Sequence, residues 1–209
     1  LRPGEEEKTE AKARKRCESE LEKTSSVVEE GLFRNLIQIA GATVRTNFYS
    51  KTPEIGLKIN SPALNFLPSP VPRFEIYVYA HNLEGTHLRG GMVARGGLRW
   101  SDRTDDFRTE ILGLMKAQMV KNTVIVPVGS KGGFVIKNRS FADRDEFRAA
   151  GLETYQRYIA TLLELTDNLT PDGKVIPARG LRRRDEDDAY LVVAADKGTA
   201  TFSDAANAI

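Results

Sequence analysis

The chain has 209 residues, 40% of them hydrophobic and 29% charged, with a net charge of +2. That length and composition suit one sizeable soluble core, and so small a charge gives no argument for a nucleic-acid or membrane-surface partner. No apolar run reaches the roughly 20 residues a bilayer span needs, and the single cysteine, Cys17, cannot close an internal disulfide. A reducing, cytoplasmic setting is therefore expected. The opening Leu1-Arg2-Pro3-Gly4 carries neither an initiator methionine nor a signal pattern, the expectation being a piece of a longer polypeptide.

Glu5 to Thr24 alternates acids with Lys and Arg. It reads as an exposed helix supported by charge pairs or as a disordered arm, so residues 1–24 are set apart from a domain at 25–209. Ser26 precedes Glu29 by a capping-box spacing. Val28, Leu32, Leu36, Ile39 and Ala40 follow at helical spacing, which predicts a buried helix to about Thr43. Ile55 to Ile59 is a short strand, and Pro62, Pro68, Pro70 and Pro72 mark an irregular connection. Phe74 to Tyr79 alternates as a strand, and His87 to Ala94 is another, interrupted at Gly90-Gly91.

Ser101 and Asp102 are placed to cap a helix with Asp105 and Asp106 in its first turn, an apolar face at Phe107, Ile111, Leu114 and Met115, and an end near Asn122. Thr123 to Val128 reads as a strand buried on both faces. Gly129-Ser130-Lys131-Gly132-Gly133 then reads as a loop, before extended structure resumes at Phe134-Val135-Ile136. A long amphipathic helix runs through Phe147, Leu152, Tyr155, Ile159 and Leu163. After a polar connection over 167–188, with Arg182 to Asp188 read as a solvated charge run, Tyr190 to Ala195 forms another apolar strand. Ser203 begins a helix that the chain does not complete. Strands alternating with helices predict a three-layer α/β/α domain on a mixed, largely parallel sheet.

Four charged residues stand where charge needs a reason. Lys121 lies seven residues after Leu114 on the inward helical face, so it either ends near the core, favoured there by the helix dipole, or snorkels to solvent. Lys131 sits among glycines after a buried strand, where ligands gather in open α/β sheets; a tight turn with an exposed lysine is the alternative. A phosphate loop needs Ser or Thr after its lysine, and Gly132 stands there instead. Asp196 repeats the strand-charge-glycine pattern, or simply opens a turn. Arg95 precedes Gly96-Gly97-Leu98-Arg99 and means little in isolation. His81 and His87 have no metal-ligand spacing and read as satisfied polar residues.

Arg95-Gly96-Gly97-Leu98-Arg99, Lys121-Asn122, Pro127 through Gly133 and Ala194-Ala195-Asp196-Lys197-Gly198 resemble, in order and spacing, the amino-acid dehydrogenase superfamily. The flanking text, His87 to Gly91, Val93 to Arg103 and Ala194 to Asn207, is similar to the large bacterial NAD-specific glutamate dehydrogenases. The resemblance covers about Leu36 to Ile209. It implies oxidative deamination of L-glutamate to 2-oxoglutarate and ammonium, with Lys131 and Asp196 catalytic, Lys121 on the substrate α-carboxylate and Arg95 on the distal carboxylate. Gly96 and Gly97 then line the substrate site. The family's smaller enzymes carry Lys where Arg95 stands, which makes a bidentate contact the expectation here. Ser130 replaces a usual Gly or Ala and is expected to add one hydrogen bond to the loop. In this reading Lys121 and Arg95 supply the cations that leave Lys131 partly neutral near pH 7.

The same resemblance implies NAD as cofactor, held mainly by a dinucleotide domain that follows in the family. No G-x-G-x-x-G follows a strand in this chain, so that Rossmann domain is expected to be absent and residues 1–209 alone to be inactive. The holoenzyme is expected to be a homo-oligomer without nucleic-acid, membrane or metal partners. A non-catalytic assembly domain of the same fold, or a dehydrogenase for another amino acid, are the competing readings.

Overall fold

The computed structural model describes residues 5–121 and 127–209. In chain order its elements are helices α1 (Glu5–Leu21) and α2 (Val27–Ala42), strands β1 (Thr43–Thr46), β2 (Ile55–Ile59), β3 (Phe74–Ala80), β4 (Leu83–Arg89) and β5 (Ala94–Trp100), helix α3 (Phe107–Lys121), strand β6 (Val128–Ile136), helix α4 (Arg144–Glu164), strands β7 (Asn168–Leu169), β8 (Val175–Ile176), β9 (Arg182–Arg183) and β10 (Val192–Ala195), and helix α5 (Ser203–Ala206). Eight strands form one sheet in the order β10-β5-β6-β4-β3-β2-β1-β9.

Parallel pairing is confined to β10 with β5 and β5 with β6. All other neighbours in that sheet pair antiparallel, so the expected largely parallel sheet is corrected to a mixed, mostly antiparallel one. Connection length is the physical reason. Only His81-Asn82 separates β3 from β4, and so short a link permits only a hairpin, whereas α3 crosses between β5 and β6 and lets them run parallel.

Helices cover both faces of the sheet. Tyr155, Tyr158, Ile159 and Leu162 of α4 pack on Ile76, Val78, Leu98 and Phe134, while Phe107, Ile111 and Met115 of α3 pack on Leu88 and Val135. Phe134 and Val135 are consecutive in β6, so these two cores lie on opposite faces.

Several local expectations change. Residues 129–133 are the interior of β6 rather than a loop. The glycines serve close packing and not turning, since a Cβ on Gly133 would lie 2.3 Å from Ile111 Cδ1 and one on Gly132 would lie 2.5 Å from Leu98 Cδ2. Positions 122–126, which include most of the strand expected at Thr123 to Val128, lie outside the described residues. The strand expected over His87 to Ala94 is instead the end of β4 and the start of β5. Helix α3 starts at Phe107, beyond Asp105 and Asp106, and Ser101 does not cap it; its Oγ accepts from the Arg103 amide at 3.1 Å.

Ser26 does cap α2, accepting from the Glu29 amide at 3.3 Å. The helix itself is not buried, because the apolar stripe Val28, Leu32 and Leu36 faces solvent. The charged arm is an exposed helix over its described residues, with Arg14 and Glu18 paired one turn apart. Strand β10 is an edge strand, and the apolar residues expected to bury it are largely exposed: Val192, Ala194 and Ala195 face solvent.

Candidate functional site

Lys131 lies in the middle of β6, paired with Leu88 of β4 across the antiparallel ladder. Alternation along β6 puts it with Gly133 and Val135 on the α3 face, and only 8% of it is exposed. Its ammonium donates to Asp196 Oδ2, 65 residues further along the chain.

Asp196 reaches the lysine because the turn after β10 is pinned. Thr199 Oγ accepts from the Asp196 amide at 2.9 Å and donates to Leu98 O of β5 at 2.7 Å. Gly198 takes φ +88°, a conformation glycine adopts freely, and lies against Trp100. Gly97 of β5 completes the surround. A Cβ there would be 2.9 Å from Asp196 Cβ and 3.2 Å from Lys131 Nζ, so glycine keeps side-chain atoms away from the ion pair. Arg99, two residues on and on the same strand face, brings Nε to 3.4 Å from Asp196 Oδ2 and Nη1 to 2.9 Å from Glu110 Oε1 of α3.

The structure therefore brings Lys131, Asp196 and Gly97 together. Arg95, itself exposed, is placed on the α3 face of β5 by alternation, and Lys121 is exposed at the last residue of α3. Among the described residues neither makes an ion pair. Gly96 turns to the other face, where a Cβ would fall 1.7 Å from Ser130 O, so its smallness serves the contact between β5 and β6. Ser130 is fully buried in β6, and its Oγ has no hydrogen-bond partner among the described residues. The bond expected from it is absent because it sits inside a strand that faces α4.

Asp196 is a low-pKa carboxyl. Burial opposes its ionisation, but the Lys131 hydrogen bond, the Lys197 amide and the charges of Lys131 and Arg99 outweigh that and hold it below the usual carboxylate value. Glu110 is shifted the same way: burial is overcome by the Ser101 hydroxyl, which donates at 2.6 Å, and by Arg99. The sequence reading gave Arg99, Ser101 and Glu110 no role in the site. The legible signal was the period of two along β5, which sets Arg95, Gly97 and Arg99 on one face.

A second charged cluster lies on the α4 face. Arg45 meets Asp167 at 3.0 Å and Asp185 at 2.6 Å, Lys58 meets Asp185 at 2.6 Å and Asp188 at 2.7 Å, and Arg89 meets Asp188 at 2.6 Å. Arg45, Lys58, Arg89, Asp167 and Asp188 are buried. The charge run from Arg182 to Asp188 is thus not simply solvated: two of its acids turn inward because buried cations on β1, β2 and β4 await them. For Asp188, burial is overcome by Arg89 and Lys58, and for Asp167 by Arg45, the Asp188 amide and Arg183; both stay below the ordinary range. His87 is also buried there. Burial first and Arg89 second lower its pKa to about 3, and both ring nitrogens lack partners among the described residues, so it is a neutral imidazole and not the satisfied one expected.

A mixed α/β domain with a lysine and an aspartate meeting across parallel strands now stands beside known proteins. The family described as the catalytic domain of bacterial NAD-glutamate dehydrogenase matches residues 16–209, and this chain belongs to it. The match takes in the end of α1, further upstream than the motifs alone reach. The NAD-specific glutamate dehydrogenase of Pseudomonas aeruginosa is 53% identical over 196 residues, covering 90% of this chain and 12% of that protein. That of Halomonas elongata is 50% identical over 204 residues, covering 92% and 13%. That of Mycobacterium tuberculosis is 53% identical over 196 residues, covering 87% and 12%. The chain thus spans about an eighth of the length of these relatives.

Proposed function

We propose that this chain is the substrate-binding and catalytic unit of an NAD-dependent glutamate dehydrogenase, built on the substrate-domain fold of the amino-acid dehydrogenases. The observation that carries the reading is the contact of Lys131 with Asp196 beside Gly97, on the face where Arg95 also stands. Lys131 and Asp196 act as the acid-base pair. Arg95 receives the distal carboxylate and Lys121 the α-carboxylate; Gly97 leaves the approach to the lysine open, and Gly96 lets β5 and β6 close together behind it.

Once the α-carbon is oxidised to the iminium, water attacks it and Lys131 takes the water proton, giving the carbinolamine. The hydrogen bond from Lys131 to Asp196 is a direct path for that proton. Asp196 passes it to the nitrogen, the carbon–nitrogen bond breaks as Lys131, neutral again, takes the carbinolamine hydroxyl proton, and ammonia leaves as 2-oxoglutarate forms. NAD accepts the hydride in this family. Its pyrophosphate does not fit the glycines of β6, whose strand is hydrogen-bonded on both sides between β5 and β4, so the dinucleotide is assigned to residues other than these. No helix among the described residues is long and apolar enough to cross a membrane, and we take the holoenzyme to be a cytoplasmic homo-oligomer.

Lys131→Ala in the holoenzyme tests the assignment. It should lower kcat by ~10²–10⁴ while leaving NAD affinity nearly intact; a mild effect would reduce β6 to a structural role. Arg95→Leu should raise the KM for glutamate far more than it affects a monocarboxylic amino acid. Equal effects would remove the dicarboxylate assignment.

A further inference from the structure

Alternating charges run from β6 into α3: Lys131, Asp196, Arg99 and Glu110 touch in sequence. The Ser101 hydroxyl closes the far end on Glu110 Oε2. Lys131 and Arg99 approach the same oxygen, Asp196 Oδ2. Arg99 Nε is a buried donor without a hydrogen-bond partner among the described residues, so it is poised against that carboxylate without being used up by it. Its Nη1 is fixed from the opposite side by Glu110.

We infer that Arg99 is a positioning residue for the Lys131–Asp196 pair, supplying the positive charge that makes Asp196 release, rather than retain, the proton it receives from Lys131, and sharing that charge with Glu110 of α3. This rests on the catalytic reading of the pair given above. A lysine that acts as a base must spend part of each turnover neutral, and in that interval its carboxylate partner loses its counter-charge. A carboxylate left without a second cation would then hold the proton it receives from Lys131 instead of passing it on. A permanent guanidinium on the same oxygen prevents this, and arginine suits the task because it does not deprotonate. Glu110 limits the effect by drawing part of the guanidinium away. The charged groups facing Asp196 are Lys131 from β6 and Arg99 from β5, with Glu110 of α3 behind Arg99 and the exposed Lys197 next in sequence.

The test uses Arg99→Met, Arg99→Lys and Glu110→Gln in the holoenzyme, with kcat and KM for glutamate measured across pH. Lys131→Ala and Asp196→Asn serve as references, and their retention of activity would sink the catalytic reading itself rather than the role of Arg99. With those references inactive, Arg99→Met should lower kcat on the order of tenfold to a hundredfold with little change in KM, and should move the acidic limb of kcat upward by about 1 unit. Arg99→Lys should restore the limb more than the rate, since it returns the charge without the two-sided fork. Glu110→Gln should move the limb downward, because Arg99 then acts on Asp196 alone. Opposite shifts from Arg99→Met and Glu110→Gln are the signature of charge positioning. Unshifted limbs, or shifts of one sign in both, would overturn the inference. If Arg99→Met fails to fold, Arg99→Lys and Glu110→Gln decide the question by the same limb positions.

Discussion

The two charged clusters of this molecule use the same groups to opposite ends. On the α4 face, Arg45, Lys58 and Arg89 meet Asp167, Asp185 and Asp188, three cations to three acids, nearly all shut away from water. On the α3 face, the Lys131, Asp196 and Arg99 side chains keep 10%, 25% and 20% of their surface open, beside a glycine that leaves room over the pair. A closed network tolerates no loss of a partner, because the survivor is a bare charge in a low-dielectric interior. An open pair tolerates it, since water can re-enter. Identical residue types therefore become scaffold in one place and chemistry in the other, according to what covers them.

Asp196→Asn and Asp188→Asn sharpen this contrast most strongly. The first should lower kcat by ~10²–10⁴ with a melting temperature close to that of the parent. The second should cost about 3–5 kcal/mol of stability, read by denaturant titration. A stable Asp188→Asn variant would break the comparison. Gly96→Ala comes next: its Cβ would lie 1.7 Å from the Ser130 backbone oxygen, and separating β5 from β6 should cost about 1–3 kcal/mol or more.

Acid titration of the folded state probes the closed cluster as a whole. Asp167 and Asp188 have folded values below the ordinary carboxylate value. Their contribution is complete above about pH 4, near the unfolded value, and is lost as pH falls below it toward the folded values. Melting temperatures that stay flat through that range would remove the network from the stability account. At the small end, Arg14→Ala in the exposed pair of α1 should change stability by less than about 0.5 kcal/mol.

Much of the molecule was readable in one dimension. The Ser26 cap, the alternation of β3 and the long amphipathic α4 are local patterns, and local backbone preference and hydrophobic period fix them. The lettering around Arg95, Lys121, Lys131 and Asp196 carried the family. The stripe on α2 misled because period reports which residues share a face and not whether anything covers it. The glycines of 129–133 misled for a related reason: a glycine required for flexibility and one required for closeness are written alike.

By itself, then, the sequence determined where its helices and a minority of its strands form and which family it joins. Only the tertiary structure decided that β6 runs straight through those glycines, that Asp185 and Asp188 turn inward, and that Arg99 leans on Asp196. Each of these depends on partners many residues away, brought together by strand order and by helices pressing on both faces, and no window along the chain contains them.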